Sequence, residues 1–590
     1  MNLDLQLTQL ESAQLVRHIG EEEATYMFRH ALTQDAAYQS LLKNQRRQIH
    51  RHVAQAYQAQ YGDVDLDEYA GILAQHYFEA GDDAQTIEFS VRAGDVAARV
   101  YANAEAIAHY TRAIEAARRN GSNADDLKEL YVKRGRELEL ASQFAAALAN
   151  YTEMENLGHE RNDRALELGA LVAQCQIRCI PNSEFNPSVG DLLAEKALQL
   201  ARELHDRAAE SKILWILINL YRLTDRMPQA QQVGEQSLKI AREMNLREQM
   251  AYTLNDLTHV YSFGGDFKHA RLLIEEAMPL WRELKNMPML ADSLETASMD
   301  NNLVGRFDET IAFSEKAYQI SQSIGNLWGQ TYSLSNVGLA YWVHGETSRA
   351  ISTMEETLRL SEISGYPVPK LLTRSDLGVA FASLGAFERG IEHVRGAIEF
   401  GDSYYPAMRL IALGALIQIY LWMGDHAQAA TMLASFGNSD SNNRFFSIHE
   451  SLSTMRVASA QADPARALEV STQVFQELDK LGMRSFIPEA LYCQGMAERA
   501  LGQTDSARTT WLQARGEAQA IGFQWQLWKI LGALGELESA CGNQSQATQF
   551  FGEARKVIDY IADHAPAELR NSFLNLPHVR QVKEHRYVEK

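Results

Sequence analysis

NVGLAYWVHGETSRA, residues 336–350, decides the fold. Gly338 and Tyr341 stand three apart, so a helix places them on one face. Gly345 follows, where a left-handed backbone angle ends a helix at little cost. Ala350, five residues on, lies in the helix that the turn begins. The stretch therefore reads as two helices joined by a tight turn, with small residues where the axes cross closely.

The pattern recurs on either side. Turn positions fall at Asp225, Gly265, Gly305, Gly345, Gly385, Gly424, Ala462, Gly502 and Gly542, with successive spacings of 40, 40, 40, 40, 39, 38, 40 and 40. Four residues before the turns come Tyr221, Tyr261, Asn301, Tyr341, Phe381 and Tyr420. Seven before come Ser298, Gly338, Gly378, Gly495 and Gly535, and eleven before come Leu214, Leu254, Leu294, Leu334, Leu413, Leu491 and Leu531. Five after come Ala230, Ala270, Thr310, Ala350, Gly390, Ala429, Ala467, Ala507 and Ala547. Twelve after come Ser237, Ala277, Ala317, Thr357, Ala397, Ala514 and Ala554. A lone hairpin cannot bury its apolar face, so neighbours must stack and share a continuous core.

The series small–aromatic–small–small at Gly338, Tyr341, Ala350 and Thr357 resembles the tetratricopeptide repeat. Threonine at 357 replaces the family's usual alanine, and the unit is about 40 residues rather than about 34, so both helices are expected to be slightly longer. Armadillo and HEAT units match the length but lack the series. The resemblance implies an all-α fold: a right-handed superhelix, or solenoid, of stacked antiparallel helical hairpins. The regular array spans 208–560, degenerate repeats cover 61–207, and 561–590 read as a capping helix and mobile tail. Within the degenerate stretch, turns are expected at Gly81-Asp82-Asp83 and Gln143-Phe144, and CIPNSEFNPSVGD (179–191) reads as a loop insertion.

Residues 1–60 do not fit the repeat. YMFRHALTQDAAYQSLLKNQRRQIHRHVAQAY (26–57) resembles a stretch of STAND-class signalling ATPases that closes a winged-helix-like domain and leads into helical repeats. That resemblance implies a small winged-helix-like N-terminal segment of helix, short strand or wing, then helix over 7–32. No G-x-x-x-x-G-K-[ST] string occurs, so the backbone cradle for a triphosphate is missing.

Composition narrows the function. Net charge is −20, which argues against nucleic acid as a partner. The basic run KNQRRQIHRH (43–52) reads as a solvated helix face. No run of 18 apolar residues exists, no signal peptide is legible, and four cysteines make no disulfide framework, so a cytoplasmic location is expected. Cys175 and Cys179 share a helix face without further ligands nearby, and Cys493 and Cys541 read as structural. His50 and His52 point to different faces, so no metal is expected. Gly401-Asp402-Ser403 reads as a turn between repeats. No catalytic motif and no cofactor site are legible, so the chain is read as a non-enzyme.

The resemblance implies that the first helix of each hairpin lines a concave groove. Register then places Trp215, Asn219 and Arg222 on it, followed by Tyr252, Asn255 and His259, Glu295 and Asn302, Tyr332, Ser335 and Trp342, and Gln418 and Trp422. Rings give contact area at low entropy cost, and amides offer donors and acceptors to a peptide backbone. Asn219 and Asn255 occur, but the lysines of a terminal-carboxylate clamp do not, which disfavours chaperone tails. The expected function is a protein-interaction scaffold or sensor arm binding a protein or peptide. The alternative is a ligand-sensing regulatory module that acts on a separate ATPase or transcription-regulator chain.

Overall fold

The computed structural model describes residues 3–19, 25–61, 66–100, 102–404, 408–436 and 444–584. These hold thirty α-helices and one two-stranded sheet. They form two compact units, residues 1–173 and 174–590.

The first unit opens with helix Leu3–Ser12 and an antiparallel hairpin, Val16–Ile19 against Thr25–Phe28, in which Val16 pairs with Phe28 and Ile19 with Thr25. The residues between the strands, and the expected tail at 585–590, lie outside the described residues. Helices Ala31–Ser40 and Lys43–Tyr61 follow; the latter carries the basic run, which is largely solvent-exposed. Hairpins then begin. Gly81 has φ +71°, and Asp82 caps the helix that follows it by accepting from Gln85 N. Ser142 (φ +58°) ends another helix just before Phe144. Tyr77 stacks on Phe89 in a small core with Leu73 and Ala74. Polar side chains link three helices above it: the Tyr38 hydroxyl lies 2.9 Å from His50 Nε2, and His50 Nδ1 lies 2.8 Å from His76 Nδ1.

In the second unit the repeat is more regular than its glycines indicate. Helices Arg207–Leu223, Met227–Glu243, Arg247–Phe263, Phe267–Glu283, Met287–Leu303, Phe307–Ser323 and Leu327–Val343 each have 17 residues. Three residues separate each pair, so the chain turns every twenty. The turns between hairpins sit at His205, Asn245, Lys285, Gly325 and Gly365, all with positive φ. Asn and Lys side chains tolerate this angle at a cost that glycine avoids, which is why only half of the turns show in the sequence. Asp206, Asp266, Asn286 and Asn326 cap their helices by accepting from the backbone N–H three residues on; each such cap contributes about 1 kcal/mol. The small positions have a steric reason: a Cβ at Gly378 would lie 2.4 Å from Val394 Cγ2, and one at Gly495 would lie 2.4 Å from Trp511 Nε1. Residues 180–186 form the expected loop ahead of helix Pro187–Glu203. Gly401-Asp402-Ser403 is not a turn between repeats; it forms the last turn of helix Phe387–Tyr404.

The array then closes on itself. Cβ positions built at Gly265, Gly305 and Gly345 meet Leu481, Ile521 and Ile561, each 216 residues further on. At Gly385 the neighbours are Ser572, in the short C-terminal helix Ala567–Leu574, and Leu576, in the link to the last helix, Pro577–Glu584. The Ser348 N–H donates to His564 O at 2.8 Å, and the Ser485 hydroxyl donates to Asn302 O. At the centre of the seam, Trp342 stacks on Trp525 (5.6 Å, 12° between planes) and meets the edge of Phe523. A cleft of about 690 Å³ opens along the same seam between Asp308 and Gln519.

Candidate functional site

The first helices of successive hairpins in the second unit pack side by side, and several of their polar side chains between Arg207 and Val343 are enclosed by neighbouring helices. Burial of polar groups demands partners, and the inner face supplies them in a chain. Trp215 Nε1 and Asn219 Nδ2 both donate to Asp256 Oδ2 at 2.7 Å. Arg222 Nη2 donates to Asn219 Oδ1 at 3.0 Å, with its guanidinium over Phe263. Asn255 Nδ2 donates to Asp292 Oδ2 at 2.8 Å, while Asn255 Oδ1 accepts from the Ser293 hydroxyl, which also takes the Trp281 indole proton. Glu295 accepts from Asn336 Nδ2 at 2.7 Å and from the Ser314 hydroxyl at 2.8 Å. Asp300 accepts from Ser262 at 2.7 Å, and Asn302 donates to Asn336 O.

Enclosure sets the electrostatics. Burial pushes Glu295 well above the usual carboxylate range, and pushes Asp292, Asp300 and Asp376 up to about 7. In Asp292 the nearby Asp256 adds to the rise, and Arg222 opposes it. Burial lowers His259 to about 3, so its imidazole is neutral. Burial raises Asp256 as well, and Arg222 partly offsets this. The environment is therefore of low polarity, where one unmatched charge counts for far more than it would at the surface.

The candidate groove residues divide into four sets. Trp215, Asn219, Arg222, Tyr252, Asn255, His259 and Tyr332 lie together on the inner sides of helices Arg207–Leu223, Arg247–Phe263 and Leu327–Val343, around the network just described. Glu295, Asn302 and Ser335 are buried supports of that network: Ser335 spends its proton on Tyr332 O, and Glu295 and Asn302 hold Asn336. Trp342 belongs to the closure seam, 8% exposed, with its indole N–H on Ser383. Trp422 stands apart from the first group, under the Lys529 ammonium at 5.1 Å. Gln418, one turn before it, is half-buried.

Register alone could have found several further residues. Asp292 occupies the position held by Tyr252 one repeat earlier and by Tyr332 one repeat later, so a Tyr–Asp–Tyr row crosses three adjacent inner helices. Trp215 packs on Tyr252 at 5.0 Å, and Trp328 and Tyr366 pack on Tyr332 at 5.3 and 6.0 Å. Asp256 and Asp376 likewise share one register position. Selecting for rings and amides passes over these carboxylates.

Cys175 and Cys179 are buried with their sulfurs 3.7 Å apart, Cys493 is buried, and Cys541 is exposed at a turn. Among the described residues no three His, Cys, Asp or Glu side chains gather as metal ligands, and no helix is long and apolar enough to cross a membrane.

No family model matches the chain, and no curated protein does. Among solved structures it is similar to a Rap protein complexed with competence and sporulation factor, at 11% identity over 61% of this chain and 98% of that one, with a TM-score of 0.47. It is similar to aspartyl phosphate phosphatase F from Bacillus subtilis, at 13% identity over 60% and 94%, with a TM-score of 0.39. It is also similar to a STAND protein with a tetratricopeptide repeat sensor from Pyrococcus horikoshii, at 11% identity over 69% and 61%, with a TM-score of 0.39. The decisive observation is internal: antiparallel hairpins of 17-residue helices, small residues at the crossings and a turn every twenty residues. The chain is a tetratricopeptide-like helical-repeat protein. In this tetratricopeptide-like array the inner helices carry the enclosed polar chain, while the outer helices carry exposed ion pairs such as Arg242–Glu276 and Arg349–Glu315.

Proposed function

We propose that the protein is a non-catalytic binding module whose inner face takes an extended peptide segment of a partner protein. One observation carries this reading. Trp215, Tyr252 and Tyr332 stand beside Asn219 and Asp256 on three of four successive inner helices, lining one enclosed strip with rings and polar groups. Closure of the array favours a narrow chain over a folded domain, because Trp342 and Trp525 already occupy the inner space at the seam. An extended segment offers a backbone donor and acceptor at each residue, which matches a strip of amides and carboxylates.

The test is selection of a random hexapeptide library on the immobilised 590-residue chain. The reading expects a recurring sequence to be enriched, and expects Asn219→Ala with Tyr332→Leu to abolish that enrichment while far-UV dichroism stays unchanged. Enrichment that survives this double substitution, or no enrichment at all, refutes the inner strip as the peptide site.

A further inference from the structure

Carboxyl groups outnumber cations along the inner strip, and the imbalance is local. Asp256 and Asp292 lie on adjacent inner helices, close enough that each feels the field of Arg222 and Asp292 feels that of Asp256. Arg222 is the one cation acting on both carboxylates. Asp256 is well supplied, accepting from Trp215 and Asn219 on one oxygen. Asp292 accepts only from Asn255, on Oδ2. Among the described residues no lysine, arginine or histidine nitrogen approaches Asp292 within 4 Å.

A second observation is independent of these acids. Thr296 has one hydroxyl proton and gives it to the backbone oxygen of Asp292 at 3.1 Å. The same hydroxyl lies 3.3 Å from His259 Nε2. The other ring nitrogen of His259, Nδ1, is shielded from water and has no partner among the described residues. A shielded polar atom without a partner costs about 1–3 kcal/mol, and a polar group of a ligand would satisfy it.

The walls agree with both observations. Tyr252 and Tyr332 flank Asp292 in register, backed by Trp215 and Trp328. Ring faces attract cations, and the more so where water is excluded. A carboxyl group without an ion-pair partner, an unpartnered imidazole nitrogen and two tyrosine walls together describe a receptor for a cation, whose charge would draw the proton from Asp292, and not for an anion or a hydrocarbon.

We propose that Asp292, flanked by Tyr252 and Tyr332, anchors a cationic group of the bound peptide, an arginine or lysine side chain or a free α-amine. This rests on the reading of the inner strip as a peptide site and adds its charge selectivity. The ligand cation forms the ion pair that Asp292 lacks, while Arg222 keeps its hydrogen bond to Asn219.

The experiment compares the hexapeptides enriched on the wild-type chain with those enriched on Asp292→Asn, which keeps the shape and the Asn255 contact. The expected result is a fixed basic position, or a required free amine, that disappears in the variant. The best basic peptide then loses at least tenfold in affinity, while its citrulline or norleucine analogue binds both chains alike. In the wild type, the basic peptide must also lose affinity as salt is raised, and the neutral analogue must not. Enrichment of neutral or acidic peptides, or equal binding of the arginine and citrulline forms, overturns the cation site and leaves the peptide strip standing. Absence of enrichment overturns both. Should Asp292→Asn fold poorly by dichroism, the wild-type arginine/citrulline and salt comparisons decide the matter alone.

Discussion

Trp342→Ala tests the closure of the array. The indole is 8% exposed, stacked on Trp525, edged by Phe523 and hydrogen-bonded to Ser383. An aromatic side chain of this size buries about 150–250 Å², worth about 4–6 kcal/mol at about 25 cal/mol per Å². Measured tryptophan-to-alanine losses in cores run at about 3–5 kcal/mol, so about 4 kcal/mol is expected. Ser383 keeps a partner in Ala380 O, so no buried donor is orphaned. The loss should fall on the seam and spare the hairpins, because Trp342 meets Phe523 and Trp525, 181 and 183 positions further on. Two assays separate these effects: urea unfolding followed by far-UV dichroism, and the distance between spin labels at Asp308 and Gln519, which both line the cleft. Trp281→Ala is the control, since that indole is fully buried between adjacent helices and bonded to Ser293. Both variants should lose several kcal/mol, but only Trp342→Ala should broaden the label distance. A loss under about 1 kcal/mol, or equal broadening in both, would refute the seam as the element that holds the array shut.

Gly378→Ala should cost about 1–3 kcal/mol, because its Cβ would sit 2.4 Å from Val394 Cγ2 and 2.7 Å from Gly390 O; a thermal midpoint within 1 °C of wild type would contradict the crossing argument. Asp300 is held up to about 7 by burial, so the folded state keeps a proton that the unfolded chain releases above its ordinary 3.8. Its stabilising contribution is complete at low pH and fades as pH rises between about 4 and 7. Asp300→Asn, which still accepts from Ser262, should flatten that part of the stability profile, and an unchanged slope in urea titrations would reject it. In the first unit, burial and the neighbouring His50 lower His76, so the folded state favours neutral imidazole. Stability there should therefore rise through the window below pH 6.5 and fall on acidification. His76→Gln should blunt the acid-induced gain in amide exchange across Leu66–Ala80, and equal exchange in the two chains would count against the His50–His76 contact.

The fold was legible because steric demand recurs at one period. Gly265, Gly305, Gly345 and Gly385 each end a helix at φ near +80°, and the residues five and twelve places on are small because the axes cross there. The alternate turns were not legible, since His205, Asn245 and Lys285 bear the same strained angle without the glycine that signals it. Closure was hidden for a different reason. Leu481, Ile521 and Ile561 look like ordinary interior residues, and only the accumulated rotation of five and more repeats brings them to Gly265, Gly305 and Gly345. Trp342 sits at a groove register position for the same reason: register gives the face of a helix, not what arrives opposite it. The carboxylates at Asp256, Asp292 and Asp376 show the reverse, because register marks their face and only enclosure gives them their electrostatic weight.

If the inner strip takes a peptide, closure and recognition are coupled through the same inner helices. Helix Leu327–Val343 carries Tyr332 toward the strip and Trp342 toward the seam, ten residues and almost three turns apart. A rigid helix cannot move one without the other. A peptide that binds only the closed array therefore stabilises the seam by mass action, about 2.7 kcal/mol at a hundred times its dissociation constant. That is more than half of the loss expected from Trp342→Ala, so saturating peptide should largely restore the narrow Asp308–Gln519 distance in that variant. Thermodynamic reciprocity requires the converse, that Trp342→Ala weakens the peptide without touching it. A variant with a broadened seam and wild-type peptide affinity would show that the strip and the seam are independent, and that the helix between them bends.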